Sequence, residues 1–294
     1  MAKGNHSVNS CLKTAPLAGE ANATGNHVMS RKSDGKPAKA LRGRAGRMQG
    51  GRGSGRASTG AVRLWGRHAV EAALKNPERR HRKLWATREG IASLDGELPP
   101  NFPLEYAQGA DLARLVARDA PHQGLVLECD ALEDIFLEDV LDGDAARPLV
   151  VLDQVTDPHN VGAIMRSAAA FNAAAIITQD RHAPPESGTL AKSASGALEV
   201  VPWVRVVNLA RALDEIADAG YWRIGLDGDG PSNFGDALPT GPVALVLGAE
   251  GEGMRHNITQ HCDALARLPI SDMIESLNVS NAAAIALYAI ATRN

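Results

Sequence analysis

The sequence predicts an α/β protein made of a basic arm, a small α/β domain and a larger α/β domain with a mostly parallel sheet. Two observations carry this reading. From Arg147 to the C-terminus, strand-like apolar runs alternate with helical patterns, which implies a parallel sheet covered by helices on both faces. Residues 1–60 show no such alternation and almost lack large apolar side chains, so they cannot bury enough surface to offset the entropy of ordering. A length of 294 residues leaves room for two domains of roughly 100–200 residues each.

Taken in order, residues 1–60 are Gly-, Ser-, Asn- and Arg-rich, and Arg42-Gly-Arg-Ala-Gly-Arg47 and Gly51-Arg-Gly-Ser-Gly-Arg56 look like an RGG-type tail. A disordered arm is expected. It holds 11 Lys and Arg against 2 Asp and Glu, while the remaining residues hold 20 against 32. A basic arm on an acidic body suits a nucleic-acid partner, because Lys and Arg displace counterions from phosphates; an inert soluble extension is the plainer alternative.

Residues 61–130 read as a compact α/β domain. A helix over Arg67–Lys75 stops at Asn76-Pro77, since proline ends helices. Strands are expected at Leu84–Ala86, Leu104–Tyr106 and Gly124–Cys129, with a helix over Asp111–Ala117 capped by Asp111. The acidic stretch 131–146 reads as a linker. Beyond it, strands are expected at 149–152, 174–178, 200–204, 223–226 and 243–247. The helices expected there span 161–171, 189–195, 209–219, 254–261 and 278–290.

No apolar stretch reaches the ~20 residues of a membrane span, and the N-terminus offers no apolar core for a signal peptide. The three cysteines, Cys11, Cys129 and Cys262, lie far apart, so a reducing cytoplasm is expected rather than a disulfide framework. The histidines lack metal-ligand spacing, and no metal is expected.

Three segments place polar residues where an apolar run meets a helical pattern. Gly248-Ala-Glu-Gly-Glu-Gly253 follows the run Val243–Leu247. Glycine lets the backbone approach a ligand closely, but no Gly-Lys-Ser/Thr follows, which excludes a Walker loop. Two carboxylates favour a cationic or neutral ligand over a polyphosphate; the alternative is a plain Gly-rich turn. In Asp153–Arg166, Asp157 and Asn160 could be caps, and Arg166 is either a surface charge or a phosphate clamp. In Glu275-Ser-Leu-Asn-Val-Ser280, Ser276 or Asn278 could cap the last helix or orient a ribose hydroxyl. Leu268, Ile270 and Leu277 could form an apolar slot.

Together, Val151–Arg166, Val246–Gly253 and Leu268–Ser280 resemble, in order, the three motifs of the SpoU (TrmH) family of RNA ribose 2'-O-methyltransferases. Trp65–Leu74 and Pro121–Gly124 look like an L30e-like substrate-binding domain found in some members. The resemblance implies a SPOUT-type deep trefoil knot in residues 147–294, S-adenosylmethionine (SAM) as methyl donor and a homodimer. It implies Asn160, Arg166, Glu250, Ser276 and Asn278 as catalytic residues. Gly248, Leu268 and Leu277 are implied to hold the cofactor, with Ile270 expected beside them from the apolar slot, and Arg166 is implied either to remove the 2'-hydroxyl proton or to stabilise the alkoxide. Asn172 and Asp272 stand where glycine is usual, and Asn281 is an unusual polar residue entering the last helix. The two-domain arrangement looks most like the branch that methylates a guanosine of large-subunit (23S) rRNA. A tRNA ribose methyltransferase and a non-catalytic RNA-binding or ribosome-assembly protein are the alternatives.

Overall fold

The computed structural model describes residues 60–293; apart from Gly60, the arm expected to be disordered lies outside the described residues. The first part forms a four-stranded sheet from β1 (Ala61–Trp65), β2 (His81–Ala86), β3 (Leu104–Tyr106) and β4 (Leu125–Asp130), in the order β1-β4-β2-β3. β4 pairs antiparallel with both neighbours, while β2 and β3 run parallel. Helix α1 (Arg67–Lys75) covers this sheet through Ala69, Val70 and Ala73. Two short helices follow, α2 (Arg88–Ala92) and α3 (Gly109–Ala113). α2 was not expected from the sequence. Asp111 sits inside the first turn of α3 rather than capping it, because the helix begins two residues earlier, after Gln108.

The second part is a seven-stranded sheet. Its strands are β5 (Leu149–Leu152), β6 (Ala175–Gln179), β7 (Trp203–Val206), β8 (Trp222–Leu226), β9 (Ser232–Asn233), β10 (Val243–Leu247) and β11 (Ala264–Arg267). The order is β7-β6-β5-β10-β8-β11-β9, and every pairing is parallel. All residues of β5 and β10 are buried, as strands covered on both faces must be. Alternate residues of β10 feed two cores: Val243, Leu245 and Leu247 join one, Ala244 and Val246 the other.

On one face lie α5 (Pro158–Ala170), α6 (Gly188–Ala194) and α10 (Val279–Thr292). A Cβ at Gly162 of α5 would meet Leu190 O at 2.6 Å on α6, so glycine is what lets these two helices touch. On the other face lie α4 (Leu137–Leu141), α7 (Leu209–Asp218) and α9 (His256–Thr259). α4 arises within the acidic stretch expected to be a linker, and buries Leu137 against this core. α9 is far shorter than the helix expected over 254–261, because residues 248–255 are taken up by the preceding loop. β9, β11 and the one-turn α8 (Phe234–Ala237) were not anticipated.

One hydrophobic core runs from Leu64 and Leu127 of the first sheet to Val150 and Leu245 of the second. A buried arginine pins the same junction. Arg79 donates to Glu186 and, through Nε and Nη2, to both oxygens of Glu199, and its Nη1 also reaches Asp130 O at 2.9 Å. Burial works against the charged guanidinium, but Glu199 and Glu186 outweigh it and raise its pKa. Lys192 of α6 adds a bond to Gln123 Oε1 at 2.6 Å.

Candidate active site

In a parallel sheet all carboxyl ends open on one edge, and ligands bind in the crevice there. β5 leaves that edge into the Asp153–Asp157 loop, β10 into Gly248–Arg255, and β11 into Leu268–Leu277. The three sequence motifs therefore leave the sheet on the same side.

Local capping decides where their side chains stand. Asp157 caps α5 by accepting from the His159 N–H at 2.9 Å, with Pro158 in the first turn; proline suits that position because its missing N–H would have no helical partner. Asn160 is thus a residue of the first turn and not the cap. Its Oδ1 instead accepts from Asn278 Nδ2 at 3.0 Å, and the same Nδ2 lies 3.4 Å from Glu250 Oε2. Asn278 is the N-cap of α10: its Oδ1 accepts from the Ser280 N–H at 2.9 Å. One amide joins residues from all three motifs.

The loop that carries Glu250 is closed on itself. Ala249 and Gly253 exchange backbone hydrogen bonds of 3.0 and 2.9 Å. A Cβ on Gly248 would lie 2.1 Å from Gly253 C and 2.2 Å from Met254 N. The requirement for glycine at 248 therefore comes first from closure of its own loop. Glu250 and Glu252 are both exposed on it.

The remaining candidates stand apart from this hydrogen-bonded group. Arg166 is exposed on α5 and makes no hydrogen bond or ion pair among the described residues. Ser276 is exposed just before the cap. Leu268 is half-buried against the core, Leu277 is half-buried, and Ile270 is exposed. Met273 and Ile274 of the same loop are exposed too. Sequence reasoning gave no role to Asp153 or Arg255, which form an ion pair at the strand edge with the carboxylate fully buried and the guanidinium partly exposed. The signal available was a carboxylate at the end of an apolar strand.

Comparison with known proteins gives the geometry its context. The pattern of the SpoU rRNA Methylase family matches residues 147–288, and that of RNA 2'-O ribose methyltransferase substrate binding matches residues 63–135. The 23S rRNA (guanosine-2'-O-)-methyltransferase RlmB of Pseudomonas putida is 35% identical over 237 residues, 77% of this chain and 94% of that one. The chain belongs to the SpoU rRNA methylase family. RlmB of Ralstonia nicotianae is 44% identical over 183 residues, 61% of this chain and 74% of the relative. Among solved structures, the SpoU methyltransferase AviRb from Streptomyces viridochromogenes, in complex with AdoMet, superposes with a TM-score of 0.66. It is 26% identical, with 79% of this chain and 89% of that one covered. As a SpoU enzyme, the chain is a SAM-dependent RNA ribose 2'-O-methyltransferase.

Proposed function

We propose that this SpoU enzyme transfers a methyl group from SAM to the ribose 2'-hydroxyl of a guanosine in 23S rRNA. The observation that carries the reading is the Asn160–Asn278–Glu250 cluster, which unites three motifs at the carboxyl edge of a parallel sheet. The RlmB relatives match across both the first part and the catalytic part, which favours rRNA over tRNA.

The residues present fit SAM. The exposed carboxylates Glu250 and Glu252 favour a cationic ligand, and Leu268, Ile270 and Leu277 offer apolar contact to an adenine. When bound, SAM supplies a methyl group already activated on a sulfonium. This chain's residues then have to align the attacking oxygen and lower the cost of its deprotonation. Asn160 and Asn278, locked to each other, orient the ribose. Ser276 stands before the cap with its hydroxyl free to contact the nucleotide. Arg166, exposed and without a hydrogen-bond partner among the described residues, offers its planar fork to hold a substrate phosphate and stabilise the emerging alkoxide.

Residues 61–130 serve as an L30e-like RNA-binding domain, 131–146 as the link and 147–294 as the methyltransferase domain. The trefoil knot of this family is supported by the strand order. β10 inserts between β5 and β8, β11 lies beyond β8, and α10 then returns to pack on α5 and β10. A homodimer is supported by Ile285 and Tyr288, exposed on α10 at 47% and 58%. An rRNA substrate supports a cytoplasmic location.

The test is calorimetry with SAM, followed by labelled methyl transfer to bulk rRNA and tRNA and mapping of the modified ribose. Saturable SAM binding with methylation of one 23S guanosine is expected. Methylation confined to tRNA would favour the tRNA branch, and absence of both SAM binding and transfer would favour a non-catalytic RNA-binding protein.

A further inference from the structure

We propose that Asp153 and Arg255 are a positioning pair that holds the Gly248–Gly253 loop against the strand edge and thereby sets the affinity for SAM. The inference rests on the reading that this loop contributes to the SAM site.

Asp153 follows β5 directly, and its backbone N–H donates to Leu247 O at 2.8 Å, extending the β5–β10 pairing to the point where both strands end. Its carboxylate is fully buried. Arg255, at the far end of the loop, satisfies that carboxylate through three donors. Its backbone N–H reaches Oδ2 at 2.9 Å, Nε reaches Oδ1 at 2.9 Å, and Nη2 reaches Oδ1 as well. Nη2 also donates to Gln179 Oε1 at 2.8 Å, and Gln179 Nε2 is held by Val207 O at 3.0 Å. One guanidinium therefore ties together the exits of β5, β6 and β10, with the segment after β7 as anchor.

The loop has two fixed ends. Its start is fixed by β10, and its end by this fork. Between them the Ala249–Gly253 bonds leave little freedom, so the direction in which Glu250 points follows from where Arg255 is pinned. A lysine at 255 keeps the charge but loses the planar fork that meets Oδ1 and Gln179 together. A buried carboxylate stripped of its fork is costly, and the loop would shift to relieve it.

The test uses the full chain and SAM itself. Arg255→Lys should raise the Kd for SAM by about 10-fold, the equivalent of about 1.4 kcal/mol. The rate at saturating SAM should change far less, and circular dichroism should match the parent. Gln179→Leu, which removes only the outer anchor, should shift the Kd in the same direction by less. A folded Arg255→Lys protein with the parent's Kd overturns the proposal. Should that variant not fold, a folded Gln179→Leu protein with unchanged Kd overturns it equally. A parent that binds no SAM overturns the proposed function and this inference with it, whereas binding by the parent and equal binding by the variant overturns this inference alone.

Discussion

Asn278 uses both ends of one amide: its Oδ1 caps α10 by accepting from the Ser280 N–H, and its Nδ2 donates to Asn160 Oδ1 at 3.0 Å. The start of the last helix and the centre of the candidate site are therefore the same group. A capping reading and a functional reading of this residue are not rivals.

The two roles can be separated by choice of substitution. Asn278→Ala removes cap and donor together, and should cost about 0.5–2 kcal/mol of stability as well as activity. Asn278→Ser keeps a capping oxygen but is too short to reach Asn160. It should melt near the parent temperature and still lose most methyl transfer. Thermal melts alongside labelled methyl transfer check this; equal activity in parent and Asn278→Ser would remove Asn278 from the site.

Arg166 should act on the chemistry rather than on SAM binding. It is exposed and without a protein partner among the described residues, so nothing in the fold depends on it. Arg166→Ala should keep the parent's stability and SAM affinity while cutting methyl transfer by about 10²-fold or more, the scale of losing one group that stabilises a developing oxyanion. Lysine should rescue poorly because it loses the bidentate fork. A drop in SAM affinity instead would move Arg166 to the cofactor.

The buried Arg79 between Glu186 and Glu199 joins the two sheets through a shared core. Arg79→Ala would leave two buried carboxylates without their partner, and breaking a buried pair in this way costs about 3–5 kcal/mol. A large fall in the urea midpoint is expected, with the parent unfolding in one cooperative transition. Two separate transitions in the parent would contradict the shared core.

Much of this was legible in the sequence because the strands are continuous apolar runs. Val243–Leu247 and Leu149–Leu152 fall where expected to the residue. β11, Ala264–Arg267, was missed because Ala-Leu-Ala-Arg is neither strongly apolar nor β-branched; it is a strand because β8 and β9 pair with it. Asn160 invited a capping reading because Asn is a good cap, yet Asp157 and Pro158 start the helix earlier. The Asp153–Arg255 pair spans 102 residues of sequence, a distance no local pattern can bridge.

Acid should weaken one identifiable surface tie. Arg223 donates to Asp263 from its backbone N–H, Nε and Nη2 at 2.8, 2.9 and 2.7 Å. The Arg223 side-chain hydrogen bonds outweigh burial and hold the Asp263 carboxyl below its ordinary value. With the folded pKa depressed, the contribution to stability is fully present above the unfolded carboxylate value of about 3.9 and is lost as pH falls through the folded one. Asp263→Asn should therefore lower stability at neutral pH and flatten the decline below about pH 4. Urea midpoints measured from neutral to acid pH check it; parallel curves for parent and variant would contradict the assignment.

The N-terminal arm should tether RNA without choosing the nucleotide. Its 11 Lys and Arg lie among glycines and serines, a composition that offers phosphate contacts but no rigid edge for reading bases. Each phosphate neutralised adds about 0.7–0.9 to the log–log salt slope of binding. Deleting residues 1–60 should leave SAM affinity and the methylated nucleotide unchanged, weaken RNA binding at low salt and flatten that slope. An inert extension predicts a truncated protein with the parent's affinity and slope at every salt concentration. Methylation of a different nucleotide would instead show that the arm helps to specify the site, and that the folded part does not choose it unaided.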